Sequence, residues 1–278
     1  MMTRNYYYLT ASLPDLVLDG GRRMPSVREF IDEITPQVHP ADAALFNLFR
    51  YPSDNALLSA LIEKREHTPD GRGLFSAEEL AAEIKAPDRV PNYMRIFIEA
   101  YKEGRLPYPE LSIENQIAWL FYDEACANAD PFVRQWFAFD RDLRNVCAAY
   151  NCRRAAERGR AHGAAFRLQR ALIGRNDVTE ALVRSSAPDF GLASSLPWIE
   201  RLAGLGRDNP VEFEKGVDAI RWDTLNELTV FSYFSFATIL AFTVKLGMVE
   251  RWQQLDEKEG AEIFEKLVQE LTIKAKGM

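Results

Sequence analysis

Helix punctuation with almost no strand pattern beside it confines this chain to an all-α fold. Four capping boxes stand in the sequence: Ser26–Glu29, Ser76–Glu79, Asp177–Glu180 and Asp256–Glu259. In each, a hydroxyl or carboxylate at the cap and a Glu three residues on satisfy N–H groups that a first helical turn leaves unpaired. Asn209-Pro210 marks a fifth start, with proline where its missing N–H costs nothing. Apolar residues then recur at helical spacing. Phe30, Ile31 and Ile34 follow Ser26; Leu57, Leu58, Leu61 and Ile62 follow Pro52; Ile113, Ile117, Leu120 and Phe121 follow Ser112; Ile263, Phe264, Leu267, Val268 and Leu271 follow Asp256. Only Tyr6–Thr10 is dense in β-favouring residues, and it reads as one short extended segment. Breaks at 67–73, 86–91, 106–109 and 185–197 are short enough to be helix–helix connections. The pattern predicts a single helical body over residues 1–278, with about twelve helices.

Composition excludes several classes. The 278 residues are 47% apolar and 27% charged, which supplies a large core and argues against disorder. A net charge of −7 opposes a general nucleic-acid binder, which would be basic. Three cysteines cannot all pair within the chain, and reduced thiols in the cytoplasm fit best. Pro14 and Asp15 interrupt any signal-peptide core near the N-terminus. The most apolar run, Thr229 to Met248, loses its uncharged character after Val244. That is short of the roughly 20 residues a bilayer requires, so the run reads as a helix buried in a soluble core.

Motifs for chemistry are missing. His39, His67 and His162 have no Glu three residues before them, and no His-Glu-x-x-His occurs. Cys147 and Cys152 lack the closer spacing and second pair of a zinc site. Neither a phosphate-cradling Gly-x-x-x-x-Gly-Lys loop nor a Gly-x-Ser-x-Gly elbow is encoded, and Gly204-Leu205-Gly206 reads as a turn. The pairs Asp123–Glu124 and Asp140–Asp142 diverge on a helix and form no dyad by spacing. The reading is therefore of a protein with no catalytic residues, no metal and no cofactor. An enzyme would require Asp123, Glu124 and Asp140 to converge with Arg144 or His162.

Arginine is the local anomaly. Between Arg153 and Arg175 lie seven arginines and one acid, Glu157. On a continuous helix Arg153, Arg160 and Arg167 would share a face, although Gly159 and Gly163 could break it. One reading is a docking strip for an acidic partner, an anionic lipid surface or, least of all, RNA, since Phe166 is the strip's single aromatic. The other is a solvated face paired with the chain's own acids. The candidate partner-binding residues are Arg144, Arg153, Arg154, Arg160 and Arg167. Upstream, Arg141–Arg154 mixes Arg144, Asn145 and Asn151 with Leu143, Val146, Cys147 and Tyr150. Such a mixture is either a semi-buried network or the wall of a polar cavity, and periodicity does not choose between them.

Two stretches carry a family likeness: DRDLRNVCAAYNCRR (140–154) and FSYFSFATILAFTVKLGMVERWQQLDEKEGAEIFEKLVQEL (231–271). Both resemble the helical funnel component of V/A-type rotary ATPases, the C-type protein of bacteria and its d-type counterpart in eukaryotes. The opening NYYYLTASLPDL is similar to an uncharacterised bacterial family associated with V-type ATPase components. The resemblance implies a short member with a funnel of helices and pseudo-threefold character. It further implies a non-catalytic part of the central stalk, cytoplasmic and peripheral on the inner face of the membrane. Its partners would be the axle subunits and the proteolipid ring of an ion-translocating ATPase. The alternative is a soluble helical adaptor or RNA-binding scaffold that uses the Arg153–Arg175 strip.

Overall fold

The computed structural model describes residues 4–18, 23–157, 164–206 and 209–255. Among them the chain is all-α; no strand forms, and one isolated antiparallel bridge joins Asn5 to Ser235. In chain order the helices are α1 (Tyr7–Ser12), α2 (Val27–Ile34), α3 (Pro40–Ala43), α4 (Phe46–Glu63), α5 (Ala77–Lys85), α6 (Asn92–Lys102), α7 (Ile113–Cys126), α8 (Pro131–Glu157), α9 (Ala164–Ala171), α10 (Asp177–Arg184), α11 (Ile199–Gly204) and α12 (Pro210–Thr229). A further helix, α13, covers 236–255. No helix among the described residues is long and apolar enough to cross a membrane.

Caps decide where several helices start. The boxes at Ser26–Glu29 and Ser76–Glu79 both form, and Ser112 accepts the Asn115 N–H at the start of α7. The third box is displaced by one residue. Asn176, not Asp177, caps α10 and pairs reciprocally with Thr179. An Asn cap serves this end as well as Asp, and it leaves Asp177 in the first turn, where the helix dipole favours an anion. The box at Asp256–Glu259 lies outside the described residues. Pro52 sits inside α4 rather than at its start.

The chain gathers into two compact units, one of residues up to Asp42 together with those from Thr229 onward, the other of Ala43–Leu228. In the first, α2 buries Val27, Phe30, Ile31 and Ile34, and the Phe30 ring lies 4.9 Å from that of Phe242 on α13. Tyr6–Thr10 is not extended. It enters α1, whose Leu9 is buried and whose Thr10 hydroxyl donates back to the Tyr6 carbonyl. The apolar run 229–248 is also not one helix: Thr229 ends α12, 230–235 forms turns and α13 begins at Phe236. Ser232 and Thr229 explain the delay, because carbonyls there accept from the Ser232 and Ser235 amides and from the Thr238 hydroxyl in turns.

In the second unit α7 is central, packed on α4, α6 and α8. Phe46, Leu58, Leu80, Tyr93, Met94, Phe97 and Ile117 fill one part of the core. A second cluster joins Leu143, Val146 and Ala149 of α8 to Leu182, Phe190, Ile199, Leu202 and Ile220. The 27-residue α8 runs through this unit and carries the polar residues singled out in the sequence.

Candidate functional site

Along α8 the polar side chains form a brace rather than a cavity wall. Asp140 is the first point. Its carboxylate accepts from the Tyr122 hydroxyl on α7 at 2.6 Å and from Arg221 Nε on α12 at 3.2 Å. Arg221 also donates to buried Asp218 at 3.1 Å. Burial disfavours the Arg221 cation, but the two carboxylates outweigh it and raise its pKa. The next turn supplies Asp142, which accepts from Arg141 Nε at 3.1 Å and from the capping residue Asn176 at 2.8 Å. Arg144 donates to Asn115 of α7 at 2.8 Å.

Asn145 is completely buried and clasps one peptide group pair. Its Nδ2 donates to the Ile173 carbonyl at 2.8 Å, and its Oδ1 accepts the Ile173 N–H at 2.9 Å. Residue 173 therefore lies beside residue 145, and α9 runs back along α8. Arg153 and Arg167 thus belong to two helices that fold against one another, not to a single helical face. The shared face, which required one continuous helix, therefore does not form between Arg153 and Arg167.

The arginines named from the sequence have separate placements. Arg153 turns inward: its two Nη atoms donate to the Ala187 and Ser185 carbonyls at 2.6 Å each. Its guanidinium lies 3.6 Å from the centre of the Phe190 ring. Phe190 has φ 57°, a conformation costly for a bulky residue, and Gly191 follows at φ 73°. Arg153 above the ring and Tyr150 at its edge hold that turn closed. Arg154 is partly buried on α8. Arg160 and the side chain of Arg167 lie outside the described residues, as does His162. Replacing Arg153 with alanine is expected to lower stability by about 2–3 kcal/mol, the worth of charge-assisted bonds to backbone plus ring stacking. Lysine should recover less than half, since one ammonium lacks the planar fork. Chemical denaturation of the three proteins measures this.

Asp123 and Glu124 are neighbours on α7 with different surroundings. Glu124 accepts the Tyr93 N–H at 3.1 Å and so caps α6, while burial raises the Asp123 pKa on the neighbouring position of α7. Among the described residues no group of three or more His, Cys, Asp or Glu side chains is placed to hold a metal ion.

A second polar cluster was not visible in the sequence. Asp54, buried on α4, accepts the Leu74 and Phe75 N–H groups, and Arg50 one turn earlier donates to the Arg72 and Gly73 carbonyls. Together they clamp the connection before α5. Burial pushes the Asp54 pKa up to about 6, against the pull of the two N–H groups and Arg50. Between pH 4 and 6 the folded state then holds a proton that the unfolded chain has released. Stability should fall as pH rises through that window and level off above it, by up to about 3 kcal/mol. Asp54→Asn should remove this slope, as read from unfolding free energies at pH 4, 5, 6 and 7. Only a folded partner reveals such a site; in sequence Asp54 is one acid within a polar helix start.

The remaining feature is a set of exposed aromatic side chains in the first unit. The Tyr6 N–H donates to the Phe234 carbonyl at 2.6 Å, and the Tyr7 and Phe234 rings lie 4.7 Å apart. This joins the α1 start to the 230–235 turns, and Tyr7, Tyr8, Val230, Phe231, Tyr233 and Phe234 are exposed. The sequence hid this exposure, because the same apolar run reads equally well as a buried helix.

A family model described as a protein of unknown function, DUF2764, matches residues 2–275. The chain belongs to the DUF2764 family. Neither the curated proteins nor the solved structures hold a match to it. Membership of DUF2764 corrects the resemblance to the funnel component of rotary ATPases, because the family spans nearly the whole chain and no homologue of that ATPase is found. The two stretches that suggested the likeness have local physical explanations in this DUF2764 chain. The charged and amide residues of 140–154 brace α8, and 231–235 forms exposed turns before α13.

Proposed function

We propose that the chain is a non-catalytic assembly protein, a stiff part that holds other proteins in register. The observation that carries this reading is the bracing of α8. Asp140, Asp142, Arg144, Asn145 and Arg153 each bond to a residue outside α8, so the helix is tied at five positions between residues 140 and 153. A close-packed helical body tied in this way deforms little under load, as a coupling part requires. The same bonds weaken the adaptor or RNA-scaffold alternative, since Arg144 and Arg153 already serve the chain's own carbonyl and amide groups.

The assembly to probe first is the central stalk of a V-type rotary ATPase, where a role between axle and proteolipid ring would place the chain in the cytoplasm, peripheral on the inner membrane face. Cross-linking mass spectrometry on native membranes tests it. Recurrent links to axle or ring proteins are expected, with no turnover by the purified chain. A free monomer in mild detergent, in cells that carry the complex, would remove the stalk from consideration.

A further inference from the structure

We infer that residues 186–197, between α10 and α11, form a strap that opens as one unit, with Arg153 as its lock. No helix forms over 186–197, and among these residues only Phe190 and Leu192 are buried. The hydrogen bonds of the strap fall into two sets. One set lies within it or at its ends. The Phe190 N–H donates to the Ala187 carbonyl, the Leu192 N–H to the Asp189 carbonyl and the Leu196 N–H to the Leu192 carbonyl. The Asp189 carboxylate accepts from the Gly191 and Ala193 N–H groups. The other set reaches the rest of the protein, and it comes from two residues of α8. Tyr150 Oη donates to the Pro188 carbonyl at 2.9 Å, and Arg153 donates to the Ser185 and Ala187 carbonyls at 2.6 Å each. A loop bonded mainly to itself can leave the surface without disturbing the elements on either side, as compact Ω-loops do.

Opposing contributions set the balance between the two forms. Phe190 and Gly191 are consecutive residues at positive φ, 57° and 73°. That conformation is costly for phenylalanine and persists only where the surroundings impose it. Arg153 and Tyr150 impose it, the guanidinium 3.6 Å from the centre of the Phe190 ring and the Tyr150 ring 5.0 Å away. Opening relieves the strain at Phe190 but gives up these contacts, the bonds from α8 and the burial of Phe190 and Leu192. The rest of the brace takes no part, because Asp140, Asp142, Arg144 and Asn145 bond to residues outside the strap. The open form therefore keeps α8 tied and presents Phe190, Leu192 and the Tyr150 ring, apolar groups that the closed form buries. The strap thus gives the chain two forms that differ in exposed apolar surface on an unchanged frame.

Native-state hydrogen exchange on the full chain in low urea tests this. The Phe190, Leu192 and Leu196 amides are expected to share one opening free energy, below that of the Phe97 and Ile98 amides of α6 and nearly independent of urea. Arg153→Gln should raise the opening constant of the strap roughly a hundredfold, through the loss of two charge-assisted bonds. Gly191→Ala should raise it about tenfold, the cost of a left-handed conformation for a residue with a side chain. A Cβ at 191 meets nothing within 4 Å, so that change acts on the backbone at φ 73° alone and leaves the packing intact. Arg221→Met should leave strap opening unchanged while the α6 amides lose protection, because the Arg221 ion pairs lie outside the strap and are the same in both forms. Strap amides that exchange only together with the α6 amides, or that follow them in Arg221→Met, would overturn the inference. So would a Gly191→Ala or Arg153→Gln protein whose strap exchanges as in the unmodified chain.

Discussion

Arg221→Met is expected to destabilise the second unit by about 3–5 kcal/mol, the cost of removing one partner from a buried ion cluster. The arginine bridges Asp140 of α8 and Asp218 of its own helix. Asp218 is 1% exposed, so without the guanidinium its charge has little water to turn to. Methionine fills similar volume and leaves the carboxylates in place, which isolates the electrostatic loss from a packing loss. Lysine at the same position should fall between the two, because a single ammonium does not present separate nitrogens to two carboxylates. Urea unfolding at neutral pH measures the difference. A change below 1 kcal/mol for Arg221→Met would show that α8 is not held at Asp140.

The second large effect is expected at Asn145. Leucine matches its shape closely but strands both the N–H and the C=O of Ile173 in a dry core. Each unsatisfied group costs about 1–3 kcal/mol, so a total of roughly 2–6 kcal/mol is expected. Aspartate should also fail, because it accepts the Ile173 N–H but sets a second acceptor against the Ile173 carbonyl. Native-state hydrogen exchange gives the sharper readout. The Ile173 amide should lose protection in the leucine variant by more than the global loss of stability accounts for, and by less in the aspartate variant, because its bond to Oδ1 closes the return of α9 along α8. Protection that falls only with global stability would mean that the clasp is incidental to the reversal.

Much of the local architecture could be read from residues alone. Ser26, Ser76 and Ser112 start helices because their hydroxyls meet N–H groups three residues on, a relation that is complete within one turn. Apolar spacing likewise placed α2 and α7, whose buried residues include Phe30, Ile31 and Ile34 in one and Ile117 and Phe121 in the other. Errors came where a local pattern has two solutions. Tyr6–Thr10 suits a strand by composition, but its Thr10 hydroxyl and buried Leu9 suit one helical turn better. The run 229–248 suits a buried helix by hydropathy, but its Ser and Thr residues close turns and delay the helix to Phe236. Asn176 displaced Asp177 as a cap because both are good caps and spacing to a Glu is only one way to complete the box.

The sequence by itself determined that the chain is helical, where several helices begin, and that no familiar catalytic or metal-binding motif is written into it, since these depend on contacts within a few residues. Tertiary structure decided what the polar residues are for. Arg153 finds carbonyls 32 and 34 residues away, Asn145 a peptide 28 away, and Arg221 a carboxylate 81 away. Tertiary structure also decided that Phe231 and its neighbours face outward. A side chain's burial depends on which distant segment arrives to cover it, and periodicity along one segment carries no record of that arrival.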